Sequence, residues 1–310
     1  MPKITDIYPK QFGRFKSVVN SGGYAKGFLV TGRAGSGARR FAEEMASLLL
    51  CERQTDCGKC AICLTRDHPD KVAVAPGAGG SIGIKEVQDL TASLSKTAFS
   101  ARLKVGLVLD AHEMTDEAAN ALLKTLEEPT ESTVIILSAD DKKLLPGTIV
   151  SRCQATRLPA VTPQELRSLY QDIENGEVLA GLAGGRPELL LELAENPQRA
   201  QDYKRMAEMF IALPGQKLTG RLKVVDQLAD ENIKTFMEVG ISVLRDLLLT
   251  FNGYEDGITF KHMKNNLRQL SFTIDAGWLV RQLTQMQRQL NRLNSNANPR
   301  LVLEAAVLEL

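Results

Sequence analysis

Four short apolar runs, separated by stretches of helical periodicity, constrain the fold of this 310-residue chain more than any other feature. They are GFLV (27–30), KVAVA (71–75), KVGLVLD (104–110) and STVIILSA (132–139). Their apolar residues run continuously, as in strands buried on both faces, and alternation with helices argues for a parallel sheet. Residues 38–50, 84–94 and 116–126 read as those helices. The last has Thr115 as its expected cap, Ala119, Leu122, Leu123 and Leu126 on one face, and Pro129 beyond its end. After TRLPAVTPQEL the β-runs stop. A helical section follows, interrupted by AGGRP (183–187). Beyond it Ile233, Phe236, Met237, Ile241, Leu244, Leu247 and Leu248 recur at helical spacing, as do Trp278, Leu279, Leu283, Met286, Leu290 and Leu293. The expected organisation is an α/β domain over 1–160, a small helical domain over 161–203 and a C-terminal all-helical domain over 204–310.

Composition narrows the function classes. An apolar share of 44% and a charged share of 24% are those of a folded globular protein. Thirty-eight Lys plus Arg against 37 Asp plus Glu leave a net charge of +1, without the basic footprint of a protein that grips nucleic acid alone. No apolar run reaches the roughly 18 residues of a membrane span, and the opening MPKITDIYPKQFGRF lacks the apolar core of a signal peptide. A cytoplasmic location is the expectation.

The stretch VTGRAGSGARR (30–40) has the outline of a phosphate-binding loop: a strand, two glycines five apart at Gly32 and Gly37 with Gly35 between them, then a helix. In an active loop a lysine and a hydroxyl follow the second glycine, the one reaching the phosphates and the other binding magnesium. Here Ala38 and Arg39 follow, and Arg39, one position late, is expected to point elsewhere on the helix. The second half of such a site is a strand ending in an aspartate, with a water-activating glutamate after it. VGLVLD ends in Asp110, but Ala111 follows, and the nearest carboxylate, Glu113, is displaced. Both halves lack catalytic groups, which suggests a nucleotide-binding fold without a functional ATP site.

Cys51, Cys57, Cys60 and Cys63 crowd one insertion, the last three at two successive C-x-x-C spacings, with Gly58 permitting a tight turn. Four thiolates make a closed tetrahedral structural zinc site. His68, just beyond, reads as the start of a loop rather than a ligand. Farther on, Ser151, Arg152 and Cys153 form a polar break after Ile149 and Val150. An arginine there is either a surface charge or a finger inserted into a neighbour's nucleotide site, and the residues alone leave both open.

Several stretches together resemble the AAA+ clamp-loader subunits of bacterial DNA polymerase III, over nearly the whole chain. They are GRAGSGAR (32–39), the four-cysteine insertion, HPD (68–70), SIGIKEVQDL (81–90), NALLKTLEEP (120–129), SRCQ (151–154) and NANPRLVLEAAVLEL (296–310). The resemblance implies an AAA+ P-loop-type parallel sheet domain, a helical lid and a helical collar joining five subunits in a ring. It implies as partners ATPase subunits and a delta subunit, and, through the complex, a sliding clamp and primed DNA. It also implies that Arg152, with Ser151 and Cys153 completing its motif, acts in trans on the ATP site of an adjacent subunit. Arg186 in AGGRP falls near where the family's ATPases carry a nucleotide-sensing arginine. The loop would then persist for the shape the ring needs. Two other readings are an active ATPase motor subunit, against which Ala38 and Ala111 stand, and a zinc-dependent nucleic-acid-binding protein, against which the charge balance stands.

Overall fold

A computed structural model describes residues 3–22, 25–53, 57, 59–60, 63, 68–77, 79–99, 101–128, 130, 132–171, 176–228, 230–294 and 297–310. Gly58 and Pro129 lie outside the described residues. The chain divides into two compact units, Met1–Ala160 and Val161–Leu310.

The first unit opens with two helices, α1 (Ile4–Ile7) and α2 (Pro9–Asn20). Then β1 (Gly27–Thr31), α3 (Ala38–Leu50), β2 (Lys71–Val74), α4 (Ile84–Leu94), β3 (Lys104–Val108), α5 (Asp116–Glu127), β4 (Thr133–Ala139), α6 (Gly147–Val150) and β5 (Gln154–Arg157) follow. All strand pairs are parallel and the order is β2-β3-β4-β1-β5. This is the expected α/β class, and β1, β3 and β4 are buried at every position. The expectation of burial on both faces fails for β2: it is an edge strand, and only Val74 is buried. β5 is the other edge. Leu29, Val108, Ile135 and Leu137 of the central strands pack with Leu90 and Leu94 of α4 and Ala119, Leu122 and Leu126 of α5. Phe12 and Phe15 of α2 meet Phe41 and Phe28 edge to face, at centroid distances of 5.8 and 5.1 Å, which fastens the N-terminal helices to α3 and β1.

The second unit is helical throughout its described residues. It comprises α7 (Pro163–Tyr170), α8 (Gly176–Ala183), α9 (Pro187–Glu195), α10 (Pro197–Ile211), α11 (Leu218–Gln227), α12 (Asp230–Phe251), α13 (Lys264–Ser271), α14 (Ala276–Asn294) and α15 (Pro299–Leu308). Thr162 caps α7 with a reciprocal Glu165 contact, and the AGGRP break falls where Gly184 and Gly185 both take left-handed φ. On α12, Ile233, Phe236, Met237, Leu244 and Leu247 are buried as the spacing predicts. On α14 the buried stripe is Leu279, Gln282, Met286 and Gln289, so it runs through two glutamines that an apolar pattern does not register. The Gln282 amide nitrogen donates to the Glu309 carbonyl at 2.8 Å, which satisfies one half of that buried amide. Asp246, fully buried on α12, accepts from the backbone N–H groups of Thr259 at 2.6 Å and Phe260 at 2.8 Å and organises the following loop. No helix among the described residues is long and apolar enough to cross a membrane.

Candidate functional site

The loop after β1 turns into α3 through Gly35 and Gly37, whose φ values of 79° and 84° only glycine adopts cheaply. Gly37 is the N-cap of α3, so the turn aims the first free N–H groups of the helix at the carboxyl end of the sheet. Behind the loop the Tyr8 hydroxyl donates to the Ser36 carbonyl at 3.0 Å; burial pushes that phenol up to about 12, with Arg33 pulling the other way. Ala38 is buried in the first turn of the helix.

Arg39 corrects an expectation. Its guanidinium does not point away but reaches back to the end of β3, 3.8 Å from the Asp110 carboxylate and 3.9 Å from Glu43 one turn on. The cation therefore stands against the carboxylate that a magnesium ion would use in an active site. Both partners are partly exposed, 45% and 34%, so the pair is screened and its role is occupancy more than stability. Asp110 is the one described non-glycine residue at positive φ, 55°, and its N–H donates to Ser138 at 3.0 Å. Ala111 is buried, and Glu113 stands 3.7 Å from His112, which is the same distance from Asp140. Burial raises the Asp140 carboxyl; His112 lowers it, while Asp110 and Glu113 add to the rise. The loop residues Gly32, Gly35, Gly37, Ala38 and Arg39 thus offer neither an ammonium nor a hydroxyl where the chemistry needs them, and the Gly32 N–H is already given to the Ala139 carbonyl at 3.2 Å.

Ser151, Arg152 and Cys153 form the turn from α6 into β5, beside the start of β1. A Cβ on Gly27 would lie 3.0 Å from the Arg152 carbonyl and 3.3 Å from the Cys153 sulfur, so glycine there admits the turn. Cys153 packs against the core, and burial raises its thiol to about 11, so it anchors rather than reacts. The Ser151 hydroxyl donates to the Thr148 carbonyl at 3.0 Å. The Arg152 side chain, 35% exposed, donates to Thr148 at 2.9 Å and meets Glu127, the last residue of α5, at 2.5 Å. Glu127 is a residue that sequence reasoning missed. It was in view within NALLKTLEEP, but nothing in the sequence says which acid of the pair Glu127 and Glu128 faces residue 152.

Cys51, Cys57, Cys60 and Cys63 converge, with all four sulfurs within 4.8 Å of one another. Cys57 and Cys63 are 4.0 Å apart, close to the roughly 3.8 Å between sulfurs bound tetrahedrally to one ion at Zn–S distances of about 2.3 Å. The Cys60 N–H donates to the Cys57 sulfur at 3.4 Å, and N–H groups of Lys59 and Cys60 lower that thiol, the state a ligand needs. Cys51, buried at the end of α3, belongs to the set. The four residues fit one metal ion. His68 is not among them: its Nδ1 accepts from the Asp70 N–H at 3.0 Å. In the second unit Arg186 pairs with Glu238 at 2.8 Å and donates to the Ala183 carbonyl, closing the AGGRP break.

Residues 7–162 match the family model described as DNA polymerase III, delta subunit. The delta' subunit of Bacillus subtilis is 26% identical over 99% of this chain and 97% of its own. That of Pseudomonas aeruginosa is 37% identical over 59% of this chain and 60% of its own. The Bacillus subtilis tau subunit is 25% identical over 93% of this chain and 57% of its own. Among solved structures, a DNA polymerase III gamma subunit-related protein of Thermotoga maritima is similar with a TM-score of 0.48 at 22% identity, covering 96% of this chain and 97% of that one. The matched span takes in the Gly-rich loop, the four cysteines and the Arg152 turn, and its sheet is the expected α/β P-loop type. The chain belongs to the DNA polymerase III delta subunit family, with relatives named as delta' subunits.

Proposed function

We propose that the chain is a non-hydrolysing subunit of the DNA polymerase III clamp loader, which assembles with ATPase subunits and a delta subunit in a five-subunit ring. In that ring Arg152 enters the ATP site of the adjacent subunit and stabilises charge in the phosphoryl-transfer transition state. Hydrolysis there drives loading of the sliding clamp on primed DNA. Residues 161–203 serve as the lid and 204–310 as the collar. The four cysteines hold a structural zinc ion, which stiffens the insertion after α3 and takes no part in the chemistry.

One observation carries the reading: the site within the chain lacks its catalytic groups while Arg152 is at the surface. Ala38 supplies no phosphate-binding ammonium, Ala111 no water-activating carboxylate, and Arg39 is set against Asp110. Arg152 belongs to a rigid turn and is a third exposed. An active motor would need a lysine and a hydroxyl after Gly37 and a water-activating carboxylate after Asp110, whatever the exposure of Arg152. The test is a titration of the purified chain with Mg·ATP and an assay of released phosphate, alone and with the partner ATPase subunits. The proposal predicts no release from the chain alone and a rise when it joins its partners. Turnover by the isolated chain would put the motor reading in its place.

A further inference from the structure

Arg152 is not loose. Among its five N–H donors, the pair on Nη1 reach the Thr148 carbonyl at 2.9 Å and the Ser151 hydroxyl at 3.4 Å, and Nη2 meets the Glu127 carboxylate at 2.5 Å. The guanidinium therefore spans two elements, its own turn and the far end of α5. Neither end of this span is free to drift. α5 is fixed by Ala118, Ala119, Leu122 and Leu126 in the core, and the turn by Ile149 and Cys153 against the same core.

Glu127 is in the wrong place for helix stability. A carboxylate in the last turn opposes the helix dipole, and this one is followed by a second at Glu128. Among the described residues Arg152 is its one ion-pair partner. A long arginine loses rotamer freedom when ordered, so a finger braced beforehand loses less on meeting a phosphate. Its Nε makes no hydrogen bond among the described residues, so a donor remains for an incoming oxygen.

We propose that Glu127 is the positioning residue for Arg152: its carboxylate holds the guanidinium ready at the surface before the neighbour's nucleotide arrives. The inference rests on the reading of Arg152 as a residue acting in trans. It assigns to the end of NALLKTLEEP a role in hydrolysis on another subunit.

The test uses the full chain reconstituted with its partner subunits and measures kcat and KM for ATP with Glu127→Ala, Glu127→Gln, Arg152→Ala and the double variant. Glu127→Ala is expected to lower kcat roughly three- to ten-fold with KM little changed, since the loss is of orientation and not of binding. Glu127→Gln, which keeps an acceptor for Nη2, recovers most of the rate. The double variant matches Arg152→Ala alone, because a residue acting only through Arg152 has nothing left to position. Full activity of Glu127→Ala beside an impaired Arg152→Ala overturns the inference and leaves the finger standing. A Glu127 effect that persists in the Arg152→Ala background overturns it as well. Normal turnover of Arg152→Ala removes the underlying reading itself.

Discussion

Asp70 shows how much a single side chain organises outside the loop and the arginine turn. It is fully buried, and its two carboxylate oxygens accept from the backbone N–H groups of Phe99 at 2.6 Å and Ala101 at 2.9 Å, about thirty residues along the chain. Asp70 thus ties the entry of β2 to the entry of β3. Removing it orphans two N–H groups, and Asp70→Ala is expected to destabilise the protein by about 2–4 kcal/mol, read as a lower urea midpoint. HPD was legible as a motif, but its work was not, because the partners of Asp70 are backbone groups that no residue type announces. Arg39 was misread for a related reason. Helical position gives the direction of a Cα–Cβ bond, whereas a guanidinium on a long stem can return to a carboxylate across the turn, as it does to Asp110.

Elements were legible where burial imposes a period. β1, β3 and β4 lie within one residue or two of their apolar runs, and α3, α4 and α5 within one residue of theirs. Thr115 caps α5 by accepting from the Ala118 N–H at 3.2 Å, and Thr115→Ala is expected to cost about 1 kcal/mol in the same denaturation measurement. β5 escaped the sequence reading. Gln154, Ala155, Thr156 and Arg157 are an edge strand with no buried position, so pairing with β1 and not hydrophobic patterning defines it. Yet β5 matters to the site, since it fixes where the chain leaves Arg152. The cysteines were legible from their spacing as a cluster that could hold a metal ion, and their sulfurs do converge. If the cluster holds zinc, the purified protein carries about one equivalent per chain, and Cys51→Ser lowers both the metal content and the melting temperature. Unchanged zinc in Cys51→Ser would remove Cys51 from the set, leaving the three closely spaced cysteines.

At the scale of the whole molecule, the chain keeps the frame of a nucleotide-binding domain and redistributes its charges. The cation near the loop is spent on Asp110, and a second cation is set at the surface between α5 and β5. Family membership rests on the span that contains both features. If Arg152 acts in trans, the assembled complex is the place to look. The most direct measurement is the steady-state ATPase rate of the complex reconstituted with the wild-type chain and with Arg152→Ala, alongside gel filtration of each. The account predicts intact assembly and a rate lower by at least about ten-fold, the loss of a transition-state contact supplied in trans. Wild-type turnover in an intact Arg152→Ala complex would contradict it.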